Sequence, residues 1–304
     1  MAVSYLQPKD YVRQVVPDSV TYTQPEALAY TRWLATSHYE NFHVVSVLLP
    51  RHLHQDFYNV YAFCRWADDL GDEIGDRAES LCLLGWWRKE LEAMYQGEAS
   101  HPVFVALRST VARFKIPIDP FDRLIQAFEH DQRINRYRDW DDVFAYCRNS
   151  ANPVGHLVLY LCGYRDAGRQ RLSDYTCTAL QLANFWQDVT VDLEKDRVYL
   201  PLHLLDKHKY RVEELFARKF DSRFQNVMHE AVDVADGLFR RGLPLVKSVH
   251  RRLALDLELF SRGGMRVLDK IRAQQYDVLS RRPAISKWER IGILLRCLPH
   301  LAWK

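Results

Sequence analysis

The run FYNVYAFCRWADDLGDE, residues 57–73, forces two opposed environments onto one helix. Its apolar residues recur three and four apart, so one stripe of it must be buried. Yet Asp68, Asp69, Asp72 and Glu73 stand within six residues of one another. A second run, ALQLANFWQDVTVDLEKD at 179–196, repeats the conflict with Asp188, Asp192 and Asp196. A fold for this chain has to bury both apolar stripes and still give both acidic ladders a partner.

Residues four apart share a helix face, so Asp68 projects with Asp72 and Asp188 with Asp192. Like charges at that spacing cost an isolated helix about 0.2–0.5 kcal/mol per pair. A bound cation offsets this. The ladders offer hard carboxylate oxygens and no His or Cys, which favours Mg²⁺ over Zn²⁺. Mg²⁺ on one or two carboxylates completes its shell with water and phosphate oxygens, so the pattern points to a diphosphate. Each ladder continues a polar stripe: Tyr61, Arg65, Asp68 and Asp72 in one run, Gln181, Asn184, Asp188 and Asp192 in the other. Polar groups among core-like neighbours must be satisfied. Two stripes meeting across a cavity, with Mg²⁺ between, would satisfy both. A single ladder reads better as a solvated face partnered by Arg65, Lys195 and Arg197; two of matching rhythm reverse that and favour the metal.

Glycine and proline are sparse at 12 each, so long helices go uninterrupted. Periodicity predicts helices over 22–34, 51 to about 73, 77–96, 103–114, 121–135, 154–162, 173–193, 212–216, 224–247, 251–279 and 286–298, and Asp139 can cap a further one. No alternating strand series and no linker interrupts them. The expectation is one all-α domain.

A formal charge of +3 on 304 residues gives no global pull toward nucleic acid, and no nucleic-acid-binding motif is present. Basic residues do gather after Arg240, in RRG, HRRL and SRRP. They read as a solvated face, or as a rim attracting an anionic substrate or membrane. The six cysteines form no C-x-x-C pair and sit in apolar helical contexts, which fits a reducing compartment. No run approaches the roughly 18 apolar residues of a membrane span, and the first residues lack a signal-peptide core. The expected location is the cytoplasm. KWERIGILLRCL reads first as a helix packed on the bundle and second as an apolar face laid peripherally on the inner membrane.

YAFCRWADDLGDE resembles the first aspartate motif of the squalene/phytoene synthase family of trans-isoprenyl diphosphate synthases, and LQLANFWQDVTVDLEKDRVYLP resembles the second. The resemblance spans about residues 36–287 and keeps the family's order. It implies an all-α isoprenoid-synthase helical bundle with a central cavity and diphosphate sites at its mouth. Carried over residue by residue, it implies Mg²⁺ bound by Asp68, Asp72, Asp188 and Asp192, supported by Asp69, with Asp131 of FEHDQ nearby. Tyr61, Arg65, Gln181 and Asn184 would line the diphosphate and cation region, Arg197 and Tyr199 would close the second motif, and Lys287 would reach the diphosphate. Phe42, Tyr61, Phe185 and Trp186 are aromatic faces for a carbocation, although core packing suits Trp186 better.

The departures narrow the resemblance. Condensing members commonly carry a Ser-rich stretch where this chain has Tyr39, Glu40 and Asn41, and A-G-x-V-G where it has Asn152 and Pro153. They commonly place Arg before the second-motif Asp, where Gln187 stands here, and a late cavity Tyr that is not evident near SRGGMR. SHYENF, YCRNSANPVG and NFWQDV are similar to the bacterial hydroxysqualene synthase branch, which converts presqualene diphosphate to hydroxysqualene. That likeness implies partner enzymes: a presqualene diphosphate synthase upstream and a flavin-dependent squalene-forming reductase downstream. A reaction ending in water capture needs an oriented water, and Tyr39, Asn41 and Asn152 are the expected places for it. The closest rival is condensation of two farnesyl diphosphates; a remote one is a non-catalytic binding partner.

Overall fold

The computed structural model describes residues 5–14, 22–37 and 50–297. Their regular structure is helical apart from one bridging pair, Arg136 with Val198. The α-helices in order are α1 (Pro8–Gln14), α2 (Gln24–Ser37), α3 (His54–Asp72), α4 (Arg77–Gln96), α5 (Pro102–Phe114), α6 (Asp119–Asp131), α7 (Trp140–Ser150), α8 (Asn152–Leu161), α9 (Ala167–Gln187), α10 (Val189–Glu194), α11 (Leu202–Lys207), α12 (Val212–Phe216), α13 (Ser222–Gly242), α14 (Arg251–Ala273) and α15 (Lys287–Cys297). The chain divides into two compact units: Met1–Arg133 with His156–Arg165, and Ile134–Gly155 with Asp166–Lys304.

Aspartate starts many of these helices. The Asp76, Asp139, Asp166 and Asp221 side chains each accept from backbone N–H groups in the first turn that follows, satisfying donors the helix cannot. Three predicted boundaries shift for identifiable reasons. The run over 251–279 ends at Ala273, because Gln275 and Tyr276 take positive φ of 55° and 65°. The run over 224–247 gives way after Gly242 to the 3₁₀ segment Leu243–Ser248, where Pro244 has no N–H to continue the ladder. The run over 173–193 breaks at Asp188 into α9 and α10.

In the first unit α3 is the central element. Phe57, Val60, Phe63, Trp66, Ala67 and Leu70 lie along its buried side. Trp66 stacks on Trp87 of α4 with ring centroids 5.0 Å apart and planes 9° from parallel, and donates from Nε1 to the Tyr30 hydroxyl at 3.0 Å. Such ring pairs add about 0.5–1.5 kcal/mol beyond burial. Polar groups are buried inside as well, centred on Asn59. The Asn59 amide donates to the Ala106 carbonyl (3.2 Å) and Thr110 Oγ1 (3.0 Å), and its oxygen accepts from Thr31 Oγ1 (2.6 Å) and Gln55 Nε2 (3.0 Å). This network ties α2, α3 and α5 together. Asn59→Ala strands several buried groups, so the expected loss is about 3 kcal/mol, read as a lower urea midpoint with unchanged slope.

In the second unit α9 packs along α13 and α14. Trp186 of α9 is fully buried and donates from Nε1 to the Ala231 carbonyl at 3.0 Å, so its core reading holds. Gly242 permits the close approach of α13 to α9, since a Cβ there would fall on Thr176 Oγ1. The anomaly of this unit is Asp256 on α14. It is 3% exposed, neither carboxylate oxygen has a hydrogen-bond partner, and burial lifts its pKa from 3.8 to about 7. The folded state therefore binds this proton more tightly than the unfolded chain does. Its contribution is neutral at low pH and becomes a penalty as pH rises from about 4 through 7, reaching on the order of 4 kcal/mol. Asp256→Asn is expected to melt above wild type at pH above about 7, with the gap closing toward pH of about 4; scanning calorimetry across pH measures it.

Candidate active site

In the first unit, the carboxylates of the α3 ladder diverge. Asp69 is buried at 3% exposure and pairs with Arg65, whose Nη2 lies 2.5 Å from Asp69 Oδ1. Asp68, nearly half exposed, lies 3.4 Å from Arg65 Nη1, and Asp72 is exposed one turn on. Asp69 thus turns inward to hold the guanidinium, whereas Asp68 and Asp72 face out along the stripe that begins at Tyr61. Burial raises the Tyr61 pKa over the opposing pull of Arg65, so the phenol keeps its proton at neutral pH. Asp131 ends α6. The next residue, Gln132, donates from Nε2 to the Gly71 carbonyl at 2.9 Å, and Gly71 leaves room for Phe128. That contact sets the end of α6 against the end of α3, bringing Asp131 to the same corner as Asp72.

In the second unit, Gln181 and Asn184 lie on the last turns of α9, Asp188 at its end and Asp192 on α10. The Asp188 carboxylate accepts from Arg282 Nε. Arg282 is brought there by the residue beside Asp188: Gln187 donates from Nε2 to the Pro283 carbonyl at 2.6 Å. Asp196 has a different fate. It accepts from Arg136 Nη2 (2.5 Å) and Asn135 Nδ2 (2.6 Å) while Val198 N–H donates to the Asn135 carbonyl (2.9 Å), so it anchors the segment after α10. Phe185 and Tyr199 stack with centroids 3.7 Å apart, Tyr199 stacks on Tyr137 at 5.5 Å, and all three are buried. Asp192, Arg197, Phe185 and Tyr199 line one cavity of about 10 Å³, space for no more than a water.

The remaining candidates lie apart from these groups or outside the described residues. Asn152, 6% exposed, accepts at Oδ1 from Thr178 Oγ1 at 2.9 Å. Thr178 lies about 60–120° round α9 from the Gln181–Asn184–Asp188 stripe, so Asn152 is not brought to that ladder. With Phe144, Tyr175 and Arg241 it lines a surface groove of about 420 Å³. Lys287 is exposed at the first position of α15. Tyr39, Asn41 and Phe42 lie outside the described residues.

Among the described residues no three His, Cys, Asp or Glu side chains form a closed metal cage. Paired carboxylates suit Mg²⁺ without one, because that ion fills most of its shell with water and phosphate oxygens. The donor set of each ladder, oxygen throughout, fits a hard divalent cation. Arg282 was missed as a site residue. Its only sequence signal is the basic SRRP run, and Asp188 lies 94 residues away along the chain.

The squalene/phytoene synthase family model matches residues 35–289. Phytoene synthase of Thermus thermophilus is 31% identical over 89% of this chain and 92% of its own length. Phytoene synthase of Arthrospira platensis is 26% identical over 91% of this chain and 93% of its own. Among solved structures, squalene synthase HpnC from Alicyclobacillus acidocaldarius superposes with a TM-score of 0.79 at 45% identity, covering 82% of this chain and 94% of that one. A dehydrosqualene synthase solved with a ligand superposes with a TM-score of 0.81 at 22% identity, covering 92% and 98%, a likeness of fold. The all-α architecture is that of the helical-bundle isoprenoid synthases, and the chain belongs to the squalene/phytoene synthase family, whose enzymes act on prenyl diphosphates.

Proposed function

We propose that the whole chain acts as one hydroxysqualene synthase domain, converting presqualene diphosphate and water to hydroxysqualene and diphosphate. The observation that carries this reading is Gln187. Where condensing members commonly have Arg, this chain has a neutral amide committed to the Pro283 carbonyl, and the cation beside Asp188 comes from Arg282 instead. That position therefore offers no charge of its own to a second prenyl diphosphate. The 45% identity to a protein described as a squalene synthase points to the same pathway.

In this reading Asp68, Asp72, Asp188 and Asp192, with Asp131 nearby, would hold Mg²⁺, which would supply charge neutralisation to the departing diphosphate. Arg65, held by Asp69, adds a fixed donor to that group. The Tyr61 phenol, kept protonated by burial, presents a ring face and a hydroxyl to the cation left when the C–O bond breaks. Gln181 and Asn184 bind and orient from α9, Arg197 and Lys287 reach for the diphosphate, and Phe42 shields the cation. Tyr39 and Asn41 place the water whose oxygen bonds to the rearranged carbon, and the released diphosphate takes the proton; Asn152, bonded to Thr178 away from the ladder, has no part in this step.

Condensation of two farnesyl diphosphates is the second reading, favoured by the phytoene synthases among the relatives; the intact ladders suit both. Purified protein with Mg²⁺, given each substrate separately and its products identified by mass spectrometry, distinguishes them. Hydroxysqualene from presqualene diphosphate, with farnesyl diphosphate untouched, is the expected result; consumption of farnesyl diphosphate overturns it. Asp68→Asn and Asp188→Asn are each expected to lower kcat by about 100-fold and raise the Mg²⁺ requirement. An unchanged Mg²⁺ titration would remove those residues from the metal site.

A further inference from the structure

Helix α15 has two faces with different commitments. On one, Glu289 accepts from Arg266 Nη2 (2.7 Å), Lys270 Nζ (3.1 Å) and the Ser286 N–H (2.7 Å), and Cys297 is buried at the far end. These contacts fix the helix to α14. On the other face, Trp288 is 81% exposed, Leu295 59%, Ile291 46% and Leu294 39%. Positions 288, 291 and 295 follow helical spacing and form one stripe, widened by Leu294. The other large exposed apolar side chains among the described residues are scattered over separate elements, whereas these four gather on one short helix.

The charges around the stripe have one sign. Lys287, Arg290 and Arg296 are exposed along α15, and Arg281 is exposed in the segment leading to it. Glu289 is the helix's one carboxylate, and it is turned to the bundle; the Ser286 N–H, Arg266 and Lys270 hold its pKa down at about 2. An isologous contact with a second copy would set this patch against itself, cation on cation, with no carboxylate on the face to pair them. A uniformly negative surface with an apolar interior matches both features. No helix of the described residues is long and apolar enough to cross a membrane, so the element suits lying on a bilayer.

We propose that the exposed face of α15 docks on an anionic lipid bilayer, with Trp288, Ile291, Leu294 and Leu295 at the acyl boundary and Arg290 and Arg296 among the headgroup phosphates. Indole rings partition to that depth, and long cationic side chains bridge from an apolar stripe to phosphate. Each cation at an anionic surface strengthens binding about fivefold at physiological salt. The inference holds whether the chemistry is water capture or condensation.

The test is co-sedimentation of the full chain with phosphatidylcholine vesicles, with and without phosphatidylglycerol. Wild type is expected to sediment with the anionic vesicles, and its affinity to fall about tenfold or more in neutral vesicles or at high salt. W288S/L295S is expected to lose about tenfold or more of the affinity for anionic vesicles at unchanged melting temperature. Should that variant fail to fold, Arg290→Glu carries the test, with an expected loss of about tenfold. Four outcomes overturn the proposal. Wild type stays in the supernatant; or the folded variants sediment as wild type does; or light scattering shows a dimer that W288S/L295S converts to monomer while vesicles bind neither, assigning the face to a second copy; or a chain ending at Cys297 binds vesicles and the full chain does not, assigning it to residues 298–304.

Discussion

The Arg65–Asp69 pair is the contact on which the first ladder depends. A carboxylate on the buried side of α3 would be prohibitive alone, and a guanidinium 2.5 Å away makes it tolerable. The pair then sets what α3 presents. With Asp69 fixed inward one residue from Asp68, helical geometry carries Asp68 and Asp72 outward together. The aromatic packing of Trp66 against Trp87 on the opposite side prevents the helix from rolling to relax like-charge repulsion along the ladder. Packing thus holds two carboxylates at a spacing they would not choose unaided.

The second ladder reaches a similar presentation by another route. Here the helix itself stops. α9 ends at Asp188, and the break lets the chain be gripped by Gln187 on the Pro283 carbonyl, Arg282 on Asp188, and the Asn135–Arg136 pair on Asp196. The stacked rings of Phe185, Tyr199 and Tyr137 lock the returning strand of chain beneath them. Three aspartates in one run therefore do three jobs. Asp196 has its oxygens committed to Asn135 and Arg136 and serves structure. Asp188 accepts from the guanidinium of Arg282. Asp192 lines the small cavity with Arg197.

What the sequence revealed, it revealed through periodicity. The stripes of α3 and α9, the buried Trp186 and the Asp139 cap all follow from spacing that the helix repeat makes legible. Other features depend on contacts between residues far apart in sequence. Arg282 is unremarkable in SRRP until Gln187 brings its neighbour Pro283 to the end of α9. The break at Asp188 has no Pro or Gly to announce it, because tertiary contacts impose it. The early end of α14 comes from two non-glycine residues in the left-handed region, a conformation that composition does not signal. Asp256 sits in LALDLELF, where a polar position at helical spacing reads as a solvent face; only the packing shows it buried.

The segment between α14 and α15 joins these themes. Pro283 and Arg282 contact the end of α9, and Lys287 begins α15 four residues after Pro283, so one short stretch serves the second ladder and the exposed apolar helix. A long-range switch at α15 would need two arrangements separated by a few kcal/mol and biased from both ends. The contacts favour one. Glu289 bridges to Arg266 and Lys270 on one side, and Gln187 grips Pro283 on the other, so the segment is pinned at both ends. Pinning of that kind suits a mooring. A bilayer bound at α15 would hold the second ladder at a fixed place relative to a lipid source, raising the local concentration of a water-insoluble substrate while leaving the geometry around Asp188 as it is.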